Sequence, residues 1–304
     1  MDYSTLIEMS NGAYEKAKEL AKALGGAGSL DSFDENCKKN AKKVVFDLKK
    51  MNVASSNGKH IDADYYEVIA KATGAFGVIN DDLPSRIYNL FDGVKYVSNN
   101  NVLTSESFEI GQAVSSRHDT GAVLKYPTYI MGPTLFSDLS MYFLAHEYAH
   151  GLKEINSDEL KTHFTVSEAI PTLCEFIFSF KIGGHETLKR VFSVRKKMID
   201  DCSLIFQKGV KFINEYKKGN IKCNDTEYKD VYYHTLEAGM YLNSFYYAVA
   251  LFSLFLSDPQ SVKNYINHNL FGRMSTSEII KVVDSTQFDF ETLYNTGIKM
   301  FNRK

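Results

Sequence analysis

No two cysteines in this chain stand at C-x-x-C spacing. Cys37, Cys174, Cys202 and Cys223 are the full complement in 304 residues, and they are scattered. Four such thiols in a chain of this size are expected to sit buried or idle in a reducing compartment, with no disulfide framework. An excess of one charge is missing too. The formal net charge is -2, which supplies no field for nucleic acid or an anionic membrane. The opening MDYSTLIEMSNGAYEKAKEL lacks a basic stretch followed by an apolar one, so no signal peptide is expected. The most apolar run, 242–256, contains Asn243, Ser244 and Ser253 and is short for a bilayer. A buried core helix is the expectation there. Together these absences predict a cytoplasmic protein with no nucleic-acid or membrane partner.

What the chain does have is an ordinary globular composition. Hydrophobic residues make up 44% and charged residues 24%, enough for one large domain or two lobes around a sizeable core. Residues 3–24 carry Leu6, Met9, Ala13, Ala17, Leu20 and Leu24 at helical spacing, ended by Gly25-Gly26. Ser32 and Glu35 form a capping box ahead of a second helix, with Cys37, Ala41, Val44 and Leu48 on one face. Residues 62–75 predict a third helix, and Leu83-Pro84-Ser85 starts a short fourth. Between 93 and 132 the texture changes to β-branched and aromatic residues, punctuated by Asn99-Asn100-Asn101 and Asp119-Thr120-Gly121. A small antiparallel sheet is expected there, its last strand running into the next helix. Pro127 cannot donate to a ladder and favours an edge position for that strand. His118 is a turn residue. After Gly183-Gly184, long helices are expected over 185–216 and 226–256, and shorter ones near 276–284 and 290–302. The predicted fold is mainly α with a small antiparallel β-sheet, forming a single unit over 1–304. Its parts are a helical lobe over 1–92, the sheet over 93–132 and a second helical lobe over 133–304.

The chemistry concentrates between Ser137 and Glu175. His146-Glu147-Tyr148-Ala149-His150 matches the H-E-x-x-H pattern of zinc hydrolases. Two histidines at i and i+4 share one helix face, so both rings can reach one ion. Glu147 adjoins the first of them, where its carboxylate can take a proton from the attacking water. Leu139, Tyr142, Phe143 and Leu144 supply the apolar face, and Ser137 and Asp138 are candidates for the helix start. A catalytic zinc needs a third protein ligand and an open fourth position. Glu168, eighteen positions after His150, opens a second helix, and Glu175 lies seven positions further on nearly the same face. His163, in the polar stretch between, is a rival ligand but reads better as a surface residue.

These residues carry a family resemblance. Asp138-Leu139-Ser140, His146-Glu147-Tyr148-Ala149-His150 and Glu168-Ala169-Ile170-Pro171-Thr172-Leu173-Cys174-Glu175 resemble the thimet oligopeptidase and oligoendopeptidase F family of gluzincin metallopeptidases. The likeness covers about residues 121–180, with a weaker echo near 228–256. Ala149 stands where the family has Gly, Lys153 where it has a further His, and Pro171 is displaced by one residue. The family's catalytic chains are generally longer. The resemblance implies a zincin-like fold with helical lobes around a cleft, Glu168 as third ligand and Glu175 as a companion acid. It also implies that the strand beside the metal helix offers its edge to the substrate backbone.

Family members carry a His and several Tyr residues on a late helix, as donors for the developing oxyanion. His234, Tyr241, Tyr246 and Tyr247 resemble that pattern, with a longer first gap and Phe245 at one Tyr position. Tyr241 and His234 are the expected catalytic pair, against the plain reading of an aromatic core helix. The expected protein is therefore a zinc-dependent oligopeptidase with one zinc per chain, held by His146, His150 and Glu168, and with Glu147 as general base. Its expected partner is a short peptide substrate, on the resemblance. The alternative is a non-catalytic peptide-binding or regulatory protein that retains the metallopeptidase fold.

Overall fold

The computed structural model describes residues 35–53, 58–90, 95–98, 112–115, 128–132, 136–156, 164–271 and 289–302. The helices expected over 3–24 and 276–284, the Ser32 cap, Pro127, His118 and His163 lie outside them. The described chain is mainly helical, with a small sheet. It divides into two compact units, each assembled from separate stretches: 1–52 with 195–247, and 53–194 with 248–304. That division crosses the consecutive lobes expected at 92 and 132. The reason is local: two helices are long enough to contribute residues to both units.

In the first unit, α1 spans Glu35–Lys50. Cys37, Ala41, Val44 and Leu48 are buried along one face, the stripe that helical periodicity demands. Lys49 and Lys50 occupy the last turn, where a positive charge complements the helix dipole. Inside this unit the Asn40 amide donates to Asn243 Oδ1 at 2.9 Å.

The second unit begins with β1 (His60–Ile61) and α2 (Tyr65–Gly74). Asp64 caps α2 by accepting from the Glu67 amide at 2.8 Å, satisfying one of the orphan N–H groups of the first turn. A 3-10 turn, Ala75–Val78, leads to α3 (Leu83–Leu90). Pro84 falls in its first turn, where a missing N–H costs nothing. Three strands follow: β2 (Lys95–Ser98), β3 (Gln112–Ser115) and β4 (Thr128–Gly132). Their order is β2-β4-β3. The β3–β4 pair is antiparallel, with Gln112 opposite Met131, whereas β2 runs parallel to β4, with Lys95 opposite Tyr129. The strand expected to offer a free edge, β4, is therefore the central one, with its hydrogen-bonding groups engaged on both sides. A substrate backbone cannot add to it.

Strand β5 (Phe136–Ser137) pairs back with β1 and delivers the chain into α4 (Ser140–Asn156). Next comes α5 (Phe164–Lys217), a helix broken at Gly184, whose φ of 76° and ψ of -172° are not helical. Only glycine occupies that region without strain. Helix α6 (Asp225–Ser257) follows, then α7 (Pro259–Phe271) and α8 (Phe290–Phe301). By length and composition α6 could cross a membrane, but 89% of its apolar window is buried inside the protein. Helix α7 was not expected from sequence. Its start signal is nonetheless present: Asp258 accepts from the Ser261 amide at 3.1 Å, and Pro259 occupies the first helical position. The preceding helix runs up to that cap and hides it.

The core of this second unit is aromatic. Phe192 stacks on Phe301 with ring centroids 3.9 Å apart, and Phe176 meets Phe252 and Phe301 at 5.9 and 5.3 Å. Gly297 lets α8 approach closely, because a Cβ there would lie 2.7 Å from the Val249 carbonyl oxygen. This cluster grips α5 through Phe176, beside the face that carries the acidic residues.

Candidate metal centre

Helix α4 packs against α2, α7, β3 and β4. Leu139, Tyr142, Phe143, Leu144, Ala145, Tyr148 and Ala149 are all buried, so α4 is a core helix and not a surface one. Its entry is built by short-range bonds. The Ser137 amide donates to Ser140 Oγ at 2.8 Å, and the Leu139 amide donates to Ser137 Oγ at 3.1 Å. The helix begins at Ser140, slightly later than Ser137 or Asp138. Asp138 is used elsewhere. It accepts from the Lys59 amide at 2.8 Å and from both terminal nitrogens of Arg190 at 2.8 and 2.9 Å. Burial pushes the Asp138 carboxyl up, but the Arg190 and Lys59 hydrogen bonds and the nearby positive charges outweigh it and hold its pKa below the usual 3.8.

Buried polar side chains converge on the middle of α4. His146 Nε2 and His150 Nε2 face each other at 3.0 Å. Glu168, from the first turns of α5, lies 3.7 Å from His146 Nε2 and 3.5 Å from His150 Nε2. These three residues form a cluster whose ligand atoms lie within 4.8 Å of one another. Four ligands placed tetrahedrally about 2.0–2.1 Å from zinc stand about 3.3 Å apart. The two imidazole nitrogens lie 3.0 Å apart, and Glu168 offers Oε1 to His150 at 3.5 Å and Oε2 to His146 at 3.7 Å, so the three side chains are close enough to share one ion and leave a further position to water.

Two further carboxylates complete the arrangement. Glu147 Oε1 lies 4.0 Å from His146 Nε2, on the side where the donors meet. Glu175 Oε1 lies 2.7 Å from His146 Nδ1, and Glu175 is 0% exposed. A buried carboxylate that accepts from Nδ1–H leaves the lone pair on Nε2, the nitrogen aimed at the cluster. His146 and Glu147 are buried, at 3% and 7% exposure, whereas His150 and Glu168 are partly open. Access to the remaining position is therefore from the His150–Glu168 side. Cys174 takes no part: complete burial pushes its thiol up, and the neighbouring charge of Glu175 adds to this, so it stays neutral.

No protein-family model matches this chain, and no curated protein matches it. Its trace is similar to a crystal structure from Bacillus anthracis str. Ames, provisionally described as an oligoendopeptidase F. The TM-score is 0.45 at 12% identity, over 95% of this chain and 55% of that one. This chain thus spans little more than half the length of that protein.

The structure brings together His146, Glu147, His150, Glu168 and Glu175, five of the residues singled out in the sequence. His234 and Tyr241 sit on α6 within the other compact unit. There His234 is exposed and Tyr241 half-buried, while Tyr246 and Tyr247 are buried. Arg190 was not foreseen. It stands 52 residues from Asp138, and a surface-like arginine on an amphipathic helix carries no local signal of its partner.

Proposed function

We propose that this chain is a zinc-dependent peptidase that hydrolyses short peptides, related to the thimet oligopeptidase and oligoendopeptidase F family. One observation carries the reading: two imidazole nitrogens and a carboxylate converge within 4.8 Å of one another, with Glu147 beside them and Glu175 behind His146. His146, His150 and Glu168 hold the ion, one per chain. Bound there, zinc would supply Lewis acidity, the property that lowers the pKa of a bound water to about 7 and polarises a carbonyl.

The chain's own residues do the rest. Glu147 takes a proton from the attacking water and delivers it to the leaving amine, which separates as the tetrahedral adduct collapses. Glu175 holds the His146 ring in one tautomer and raises its basicity as a ligand. Tyr241 and His234, which the family resemblance implies as oxyanion donors, are the residues of α6 to test for that role. The setting of this reading is cytosolic, in keeping with four cysteines scattered through the sequence. Cys or His closure of all four positions, usual for a structural zinc, is not what this donor set offers.

The test combines metal analysis with an unbiased peptide mixture. The parent should carry about one zinc and cleave peptides. Glu147→Gln should keep zinc and fold but lose turnover by about 10² to 10⁴, because an amide cannot accept the water's proton. A zinc-loaded parent that cleaves nothing would instead favour a peptide-binding protein, and near-parental turnover in Glu147→Gln would defeat the mechanism.

A further inference from the structure

Helix α4 is touched by α5 at two distant points. Glu168 and Glu175 reach His146 and His150 from before the Gly184 break. Arg190, six residues after the break, forms a two-point ion pair with Asp138 just ahead of α4, at 2.8 and 2.9 Å. Asp138 is in turn tied to the chain before β1, since its amide donates to the Lys59 carbonyl at 2.9 Å and its carboxylate accepts the Lys59 amide at 2.8 Å.

The two contacts are spaced differently along the two helices. From Asp138 to His146 the chain advances roughly 12 Å at 1.5 Å per residue, whereas an unbroken helix from Glu175 to Arg190 would advance about 22 Å. A straight α5 would advance roughly 10 Å further than α4 does between the two contacts, a difference that the side chains alone would have to take up. The break at Gly184 frees the two halves of α5 to run in different directions. A Cβ at Gly184 would meet nothing within 4 Å, so it is the positive φ, and not crowding, that calls for glycine here.

We infer that the Asp138–Arg190 pair and the Gly184 bend form a clasp that sets the distance between the two histidines and Glu168. Asp138 and Arg190 are positioning residues for the metal centre, although neither touches it. The clasp rests on the metal reading above. It works because a metal site must be held to within about 0.5 Å of its working geometry, a tolerance that one loosened helix contact exceeds. Arg190 is suited to the task because its planar fork fixes angle as well as distance.

The experiment is zinc titration of the full chain against a chromophoric chelator, at a temperature where circular dichroism reports each variant folded. The variants are Arg190→Gln, Asp138→Asn, their double and Arg190→Lys. Each of the first two should weaken zinc affinity by about tenfold, the lower end of what residues supporting metal ligands contribute. The double should be no weaker than the poorer single, because both remove one clasp. Arg190→Lys keeps the charge but not the fork. It should fall between parent and Arg190→Gln, and it carries the test should the others unfold. Affinities within twofold of the parent, or a double that multiplies the two single effects, would overturn the clasp. A parent that binds no zinc would overturn the metal reading itself, a result distinct from weak variants of a binding parent.

Discussion

Two stretches of this chain carry the residue types of a peptidase site, and they use them differently. Within 137–175, ionisable side chains pack against one another, three of them buried (His146, Glu147 and Glu175) and two partly open: Glu175 on His146, His146 facing His150, and Glu168 beside both. Along α6 the aromatic residues are organised as ordinary packing. Tyr232 and Tyr233 meet edge-on at 5.8 Å, Tyr246 and Tyr247 at 5.5 Å, and all four are buried, while His234 is exposed. The difference is energetic. A buried tyrosine ring is stabilised by its own burial, so an aromatic core helix needs no function to explain it. A buried carboxylate costs several kcal/mol unless a partner offsets the loss of water. A nest of such groups persists where its members, or an ion, neutralise one another. Buried ionisable residues thus mark a site in a way that buried aromatics do not.

The sharpest way to break that comparison is to remove one member from each stretch. Glu168→Ala should abolish most zinc binding, whereas His234→Ala and His163→Ala should leave about one zinc per chain by elemental analysis. Full zinc in the Glu168 variant, with loss in the His163 variant, would overturn the ligand assignment. Next in size is Tyr241→Phe, which removes only a hydroxyl from α6. If that hydroxyl serves the oxyanion, kcat should fall by about 10² with KM nearly constant. Unchanged kcat, with loss instead in His234, Tyr246 or Tyr247 variants, would keep the helix and change the donor.

Much of the site was legible because its information is local. His146 and His150 are one turn apart, and Glu168 and Glu175 two turns apart on the next helix. Helical periodicity alone put each pair on a face. The apolar spacing of Cys37, Ala41, Val44 and Leu48 likewise gave α1. What local pattern could not give is pairing between distant stretches. Pro127 and the family resemblance point to an edge position for β4, yet β2 and β3 close both its sides, and no periodicity encodes which strand lies between two others. Asp138 looked like a helix cap because Asp caps helices, but Arg190 claims its carboxylate from across the fold.

A smaller effect tests whether Glu175 belongs to the site or to the core. Glu175→Gln keeps the shape and an oxygen for His146 Nδ1–H, but removes the charge that raises the ring's basicity. Zinc affinity should fall about tenfold with little change in the thermal midpoint of the metal-free protein. Loss of stability without loss of affinity would place Glu175 with the packing residues.

The smallest expected effect lies at the margin of the site, in the charge of Asp138. Its carboxylate faces Arg190 and Lys59, and against the opposing effect of burial their hydrogen bonds and charges leave its pKa below 3.8. A carboxyl that binds its proton less readily when folded adds stability above its unfolded pKa. That stability is lost as pH falls through the lower folded value. Asp138→Asn removes the charge and keeps one oxygen for a hydrogen bond. Because the side chain is about a third exposed, solvent screens the pair, and the loss at pH 7 should be about 1 kcal/mol or less. Urea unfolding at pH 7 and again below 3.8 separates charge from shape. The gap between parent and variant should close on acidification, as the parent's carboxyl also becomes neutral. A gap that persists in acid would come from the lost geometry of the Arg190 fork, and the pair would then hold α4 by its shape and not by its charge.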